Sequence, residues 1–252
     1  MLLVVNIGNS NIRFGVFQSK EILDSWTINT RPYRTEDEFF AKFNSMYEPF
    51  GYHKNDFEEI VMASVVPPLT HPIEQALTRI HGFSPTVIDR NSPSSVQHRS
   101  KQIGTDLYAN AVAAQELYEG HKIVIDFGTA LTFIGIGPNG ESLGVSIGPG
   151  IQTALNSLVG ATAQLPEIEM KAPEKVLGFN TEACMQSGMI YGYLSLIEGM
   201  IDRINQEIGA ESVVIATGGL SGIYAPLTSK INHQDQMHTL KGIVEIYRFT
   251  QK

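Results

Sequence analysis

The segment VIDFGTALTFIGI, residues 124–136, repeats the pattern of VVNIGNSNIRFGV, residues 4–16. Each copy has an apolar strand that ends near an Asn or Asp, a glycine two positions later and a second apolar strand. A strand, a tight polar turn and a further strand are typical of a β-hairpin. Two such units about half a chain apart predict two similar domains that face each other across a cleft. We place the first domain at residues 1–117 and the second at residues 118–252.

The rest of the chain alternates strands with helices, which predicts an α/β protein whose sheets are covered by helices. Thr35 and Glu38 have the spacing of a capping box, which opens the first predicted helix. Pro67 and Pro68 end a strand, because proline cannot continue a ladder. The predicted strands cover residues 1–5, 12–17, 21–28, 59–66, 85–88, 122–126, 131–136 and 211–217, the predicted helices cover 35–47, 73–80, 106–118, 153–158 and 181–208, and a loop covers 91–101.

The composition limits which kinds of partner the protein can bind and in which compartment we expect it. The chain of 252 residues has 18 basic and 26 acidic residues, a net charge of −8, which disfavours a nucleic-acid or anionic-membrane surface. The single cysteine, Cys184, excludes an internal disulfide framework and a multi-cysteine metal site. The first residues lack the basic region of a signal peptide, and no run approaches the ~18 apolar residues that span a bilayer. We therefore expect a cytoplasmic protein with neither nucleic acid nor membrane as a partner.

The two glycine turns are candidate phosphate sites. Gly8 and Gly128 would let backbone N–H groups approach a polyphosphate, because no Cβ stands in the way. An acidic residue at a strand end can hold a cation or its waters against phosphate oxygens. One such turn alone is more often a plain hairpin, since short glycine motifs match by chance. Two matched copies and a third turn at residues 216–219 favour nucleotide binding.

Several longer motifs occur in one order along nearly the whole chain, and together they carry a family resemblance. The chain resembles the actin/hexokinase/Hsp70-like ATPase superfamily and, more specifically, the type III pantothenate kinases. The matching segments are residues 4–17 and 124–132 for the two phosphate motifs, 104–106 for the substrate and base motif, 178–183 with 187–188 for the dimer and substrate segment, and 217–219 for the adenosine turn. The resemblance implies two α/β domains with ATP in the cleft between them, and transfer of the γ-phosphoryl group of ATP to pantothenate, the first step towards coenzyme A. It also implies a homodimer, a divalent cation such as Mg²⁺ with ATP, and a monovalent cation, K⁺ or NH₄⁺.

The resemblance also assigns roles to single residues. The ATP-binding positions are Asn6, Ile7, Gly8, Asn9, Ser10, Asn11, Ile12, Arg13, Gly128, Thr129, Thr217, Gly218 and Gly219. The pantothenate-binding positions are Gly104, Thr105, Asp106, Leu107 and Thr181. Asp106 matches the general base that accepts the proton of the attacking hydroxyl. Asp126 matches the ligand of the monovalent cation.

Each of these assignments has a plainer alternative. Asp106 and Thr181 both precede apolar helical runs, where Asp and Thr are common N-caps. Asp126 could simply form a turn. A capped carboxylate stays ionised and fixed in place, so for Asp106 the structural and the catalytic role are compatible.

Three positions depart from the pattern of the family that the chain resembles. Asn6 replaces an Asp, Leu107 an Arg and Val145 a Gly. A neutral Asn cannot attract a cation as a carboxylate does, and Leu cannot form the paired bonds of a guanidinium with a carboxylate. Two interpretations follow: a working pantothenate kinase with lowered or altered activity, or a catalytically impaired kinase-like paralogue that binds nucleotide or regulates a partner. We favour the first.

Overall fold

The computed structural model describes residues 1–98, 100 and 102–251. Arg99 and Lys101, part of the predicted loop, lie outside the described residues. The chain divides into two compact units: the first holds the described residues of 1–95, 99–113 and 239–252, and the second holds residues 96–98 and 114–238.

The first unit is built on a five-stranded mixed sheet in the order β3-β2-β1-β4-β5. Its strands are β1 (Leu2–Ile7), β2 (Asn11–Gln18), β3 (Glu21–Asn29), β4 (Glu59–Ser64) and β5 (Thr86–Ile88). β1, β2 and β3 are antiparallel neighbours, whereas β4 runs parallel to β1 and β5 parallel to β4. The predicted hairpin at residues 4–16 is therefore the centre of this sheet.

The helices of the first unit are α1 (Glu36–Asn44), α2 (Pro67–His81) and the beginning of α3 (Thr105–Leu117). The predicted capping box of α1 is present: the Glu38 N–H donates to the Thr35 hydroxyl, and the Thr35 N–H donates to Glu38 Oε2 at 2.8 Å. α1 ends three residues before the predicted Tyr47. α2 begins at Pro67 itself, earlier than predicted, because the first N–H groups of a helix have no intrahelical partner and proline is tolerated there.

The second unit repeats this arrangement. Its sheet has the order β10-β9-β6-β7-β8, with strands β6 (His121–Phe127), β7 (Ala130–Ile136), β8 (Ser142–Pro149), β9 (Ser212–Gly218) and β10 (His233–Gln234). β6 and β7 form the antiparallel hairpin, and β9 runs parallel to β6, as β4 does to β1. Two α/β units of matching topology confirm the predicted fold class.

The helices of the second unit are α4 (Ile151–Gly160), α5 (Thr181–Ser187), α6 (Tyr193–Ile208) and α7 (Ser221–Tyr224). The predicted helix at 181–208 is interrupted by a π-helical turn at Gly188–Gly192, which separates α5 from α6. Three short 3₁₀ turns, Glu48–Phe50, Lys54–Asp56 and Ala225–Leu227, complete the connections in the two units.

The last helix, α8 (His238–Thr250), is absent from the sequence-based expectation. From Thr239 onward it belongs to the first unit, whereas the expected second domain includes all residues to 252. The Thr239 hydroxyl donates to Asn110 Oδ1 at 2.7 Å in a buried pair, and Gly242 lies directly against the backbone of Ala109. A polar bond and a backbone contact with α3 thus hold the end of the chain in the first unit. Among the helices of the described chain, none combines the length and apolar character needed to cross a bilayer.

Candidate functional site

The first glycine turn joins β1 to β2. The Gly8 N–H donates to the Asn11 carbonyl at 2.9 Å, and a Cβ on Gly8 would lie 3.0 Å from that same oxygen. Asn9 and Ser10 are exposed at its tip. The turn therefore presents backbone and small polar groups to solvent, as a phosphate site requires.

The residues beside this turn differ in what they can offer a ligand. Ile7 and Ile12 are fully buried in the core, so only their backbone is left for binding. Asn6 and Arg13 are directly opposite each other on β1 and β2, which places both side chains on the same face of the sheet. The polar pair of the predicted ATP-binding set thus lies on one surface.

The second glycine turn joins β6 to β7 and rests on the start of α4. The Gly128 N–H donates to the Ala130 carbonyl at 3.2 Å, and the Thr129 carbonyl accepts from the Thr153 hydroxyl at 2.8 Å. Gly150 is essential to this contact, since a Cβ there would lie 2.3 Å from the Thr129 carbonyl oxygen. Gly128 and Thr129 are themselves exposed. Gly150 is not among the site residues predicted from the sequence, although the glycines at 144, 148 and 150 could have indicated a close backbone approach.

Asp126 lies near the end of β6, where three strands bring polar side chains together. It is opposite Thr132 on β7 and opposite Thr217 on β9, so the three side chains share one face of the sheet. The hydroxyls of Thr132 and Thr217 are buried, at 6% and 1% residue exposure, and neither has a hydrogen-bond partner. Buried hydroxyls without partners are costly, so these two oxygens are available to a bound water or ligand. A carboxylate flanked by two free hydroxyl oxygens fits a bound cation.

Gly218, next to Thr217, makes room for this cluster. Its φ is +90°, and a Cβ would lie 2.6 Å from Asp126 Oδ1 and 2.8 Å from the Phe127 nitrogen. Only glycine satisfies both the backbone angle and the space. The structure thus brings Asp126, Thr217 and Gly218 of the predicted set together, and it adds Thr132. The hairpin register could have revealed Thr132, because a three-residue turn at 128–130 pairs it with Asp126.

Asp106 lies in the first turn of α3. The helix begins at Thr105, and the Tyr108 N–H donates to the Gly104 carbonyl at 3.0 Å, so Asp106 is inside the helix rather than at its cap. Its Oδ1 accepts from the Leu107 N–H at 2.7 Å. A Cβ on Gly104 would lie 2.6 Å from this oxygen. The absence of a side chain at Gly104 therefore leaves room for the Asp106 carboxylate.

The environment of Asp106 suits a proton acceptor. Burial raises the pKa of the Asp106 carboxyl, and the backbone N–H groups of Leu107 and Asp106 lower it by less. A carboxylate whose pKa is moved towards neutrality is a stronger base than an ordinary one. Leu107, beside it, is half-buried and contributes no charge.

Thr181 is the first residue of α5 and is exposed. The N-cap is Asn180, whose Oδ1 accepts from the Ala183 N–H at 2.8 Å. The alternative prediction that Thr181 is the N-cap is therefore wrong, because the cap is the preceding residue. The Thr181 hydroxyl is not the group that caps the helix. Among the residues that the structure describes, no cluster of three or more His, Cys, Asp or Glu side chains could hold a metal ion.

Comparison with known sequences gives a consistent result. Residues 2–203 match the sequence profile of the Pan_kinase family, described as type III pantothenate kinase. A type III pantothenate kinase of Moorella thermoacetica is 38% identical over 250 residues, which are 98% of this chain and 98% of the relative. Another, of Syntrophus aciditrophicus, is 35% identical over 251 residues, covering 98% and 99%.

Solved structures support the fold. A Campylobacter jejuni protein described as a Baf family transcriptional activator has a TM-score of 0.61 at 20% identity, over 99% of this chain and 98% of its own. The inorganic polyphosphate/ATP-glucomannokinase of Arthrobacter sp. strain KM has a TM-score of 0.52 at 15% identity, with the same coverage. At these identities the likeness concerns the fold alone, and it agrees with the ATPase-superfamily architecture.

Proposed function

Because this chain belongs to the type III pantothenate kinase family, we propose that it transfers the γ-phosphoryl group of ATP to the primary alcohol of pantothenate. The product is 4′-phosphopantothenate, and the reaction is the first step of coenzyme A biosynthesis. Family membership confirms the resemblance found in the sequence motifs and makes the protein a kinase, and hence a transferase.

The observation that carries the proposal is the matched pair of glycine turns. Each has an exposed tip and a polar strand end beside it. A side chain at Gly8 would crowd the first turn, and a side chain at Gly150 would crowd the second. Phosphoryl transfer needs little covalent help, so positioning and charge stabilisation by such groups account for most of the rate. We assign residues 6–13, Gly128, Thr129 and residues 217–219 to ATP.

Asp106 is the proposed general base. It would accept the proton of the pantothenate hydroxyl as that oxygen attacks phosphorus. The raised pKa of its carboxyl and the fixed hydrogen bond to the Leu107 N–H both support the role. Gly104, Thr105, Leu107 and Thr181 are the proposed contacts of pantothenate.

Asp126, Thr132 and Thr217 are the proposed ligands of a monovalent cation, K⁺ or NH₄⁺. One carboxylate balances one positive charge, and the two unpartnered hydroxyls supply neutral oxygens on the same face of the sheet. Mg²⁺ or another divalent cation would enter with ATP, because Mg²⁺ is usually held by substrate phosphates and one or two carboxylates. When bound, that ion neutralises charge on the transferred phosphoryl group.

A homodimer is the proposed assembly. Leu177 and Phe179 are 81% and 95% exposed, and they lie just before Thr181. Large apolar side chains that are exposed close together in the chain are typical of interaction surfaces. A second copy of the chain that covers them would also approach the pantothenate contact at Thr181.

A second candidate function rests on Asn6. The residue opposite Arg13 is a neutral amide rather than a carboxylate, which removes a charge that could hold the divalent ion. The alternative is a kinase-like paralogue with little catalysis that binds nucleotide or regulates a partner. In that case Asn6→Asp would restore turnover to an otherwise silent protein.

The deciding experiment is a coupled assay of the purified protein with ATP, MgCl₂, KCl and pantothenate. The proposal expects 4′-phosphopantothenate, with ADP released in equal amount, and reduced turnover when choline chloride replaces KCl. Nucleotide binding without turnover, in both the parent and the Asn6→Asp variant, would contradict the kinase and support a binding role.

A further inference from the structure

The residue that follows β3 reaches the first glycine turn. Thr30 is polar but 0% exposed. Its hydroxyl donates to the Gly8 carbonyl at 2.7 Å, and its backbone N–H donates to the Ser10 carbonyl at 2.9 Å. One buried residue thus binds two carbonyl groups of a turn that lies some twenty positions earlier in the chain.

These two bonds fix the orientation of two peptide groups. In a planar trans peptide the C=O and the following N–H point in opposite directions. Since the carbonyls of Gly8 and Ser10 point towards Thr30, the N–H groups of Asn9 and Asn11 point away from it. Asn9, Ser10 and Asn11 are all exposed, so the turn that carries these N–H groups is open to a ligand.

From this geometry, and resting on the proposed function, we propose that Thr30 is a positioning residue for phosphate binding at the first glycine turn. It touches no phosphate itself. The hydroxyl is the only part of its side chain that can donate, so an apolar replacement of the same shape would leave the Gly8 carbonyl without this bond. The peptide would then be free to rotate, and its N–H would no longer be held towards the ligand.

Thr30→Val tests the proposal, because Val keeps the shape and removes the donor. The measurement is calorimetric binding of two probes to the full chain: a non-hydrolysable ATP analogue with Mg²⁺, and adenosine, which has no phosphates. We expect the affinity for the analogue to fall roughly tenfold, the size of one lost buried hydrogen bond, and the affinity for adenosine to stay within about twofold. In turnover assays the KM for ATP should rise more than kcat falls.

Two further variants make the result specific. Thr30→Ser keeps the donor and should bind both probes nearly as the parent does. Thr78→Val is the matched control, since the Thr78 hydroxyl donates to the Glu74 carbonyl at 2.8 Å inside α2, remote from the turn in sequence. It should leave both affinities unchanged. If Thr30→Val fails to fold, Thr30→Ser carries the test, and a selective loss of analogue affinity in that variant contradicts the proposal.

The failure of this inference differs from the failure of the proposed function. A parent protein that binds no ATP analogue would overturn the kinase proposal and this inference with it. A parent that binds the analogue, with a Thr30→Val variant that binds it equally well, overturns the role of Thr30 alone. Equal weakening of the analogue and of adenosine would indicate a general structural role and would also overturn it.

Discussion

Asp106 is the residue on which the proposed chemistry depends most directly. Its replacement by Asn keeps the shape of the side chain and removes its ability to accept a proton. We expect kcat to fall by roughly 10²–10⁴-fold, the usual contribution of a general base, while the affinity for ATP stays near that of the parent. Steady-state kinetics and calorimetry measure the two quantities.

Asp89→Asn is the matched control for this change. Asp89 is exposed, lies in the same unit and accepts from the Asn91 N–H in a local turn. Its variant should retain full turnover. Unchanged kcat in Asp106→Asn would remove the base assignment, and an equal loss of ATP affinity would indicate a structural effect instead.

At the residue scale, the sequence predicts the main residues of the candidate site better than it predicts the residues that contact them. Asp126 and the two glycine turns follow from a strand-end pattern that is visible in the letters alone. Thr132 and Thr30 do not, because their importance comes from strand register and from a hydrogen bond over a long sequence separation. The N-cap of α5 is Asn180 rather than Thr181. Both residue types are suitable N-caps, so only the backbone geometry shows which of the two adjacent residues has this role.

At the scale of elements, the contact between α3 and α8 gives a clear prediction. A Cβ on Gly242 would lie 1.9 Å from the Ala109 carbonyl oxygen, a backbone atom that cannot move aside without shifting the helix. We expect Gly242→Ala to lower the free energy of unfolding by about 1–3 kcal/mol, as overpacking in a core does. Urea denaturation followed by circular dichroism measures the change.

Gly160→Ala controls for the intrinsic effect of the substitution. Gly160 is the last residue of α4, and nothing lies within 4 Å of a Cβ placed there. Alanine favours the helix, so this variant should match or slightly exceed the parent in stability. If both variants had similar free energies of unfolding, the prediction would be wrong, and α3 and α8 would have moved apart at little cost.

The end of α2 gives a pH prediction. His81 Nε2 lies 2.9 Å from the Tyr47 hydroxyl and Nδ1 lies 3.0 Å from the Lys54 carbonyl. Burial lowers the pKa of His81, the nearby Lys54 charge lowers it further, and the bond to the Lys54 carbonyl opposes both. The unfolded chain therefore binds a proton at a higher pH than the folded chain does.

Stability linked to His81 is fully present above its ordinary pKa of 6.5 and is lost as the pH falls below that value. Urea denaturation at several pH values between about 7.5 and 5 should show a decline in the free energy of unfolding. His81→Gln should flatten this decline. The exposed His71→Gln serves as control and should keep the slope of the parent, while an unchanged slope in His81→Gln would contradict the prediction.

Elements with an unbroken apolar pattern are predicted well, and the missed ones show why others are not. β8 contains Gly144, Gly148 and Pro149, which are turn formers, yet pairing with β7 makes it a strand. α8 has Gly242 in its middle, a residue unfavourable in helices that here permits the contact with Ala109. In both cases tertiary contacts overrode local preference.

The whole molecule repeats one sheet design. The order β3-β2-β1-β4-β5 corresponds strand for strand to β8-β7-β6-β9-β10, and the directions of the central pairs agree. The internal repeat therefore extends beyond the two hairpins: β8 in the second sheet occupies the position that β3 occupies in the first, so β3 could have predicted it. The sequence does not predict that α8 belongs to the first unit. An internal repeat does not indicate with which unit the C-terminal helix packs.

Assembly is the prediction that belongs to this scale. The side chains of Leu177 and Phe179 are largely exposed in the single chain, which favours a partner that covers this apolar segment. The parent protein should sediment with twice the mass of the chain, and the double variant Leu177→Ser/Phe179→Ser should sediment as a monomer at the same concentration. Leu23→Ser, at an exposed apolar position of β3, is the control and should remain dimeric.

The same variants test whether assembly supports catalysis. Thr181, two positions beyond Phe179, is a proposed contact of pantothenate, so a partner that covers the segment would also help to order this contact. We expect the monomeric variant to show a raised KM for pantothenate with a nearly unchanged KM for ATP. A double variant that remains dimeric would place the interface elsewhere, and a monomer with the pantothenate KM of the parent would separate the segment from substrate binding.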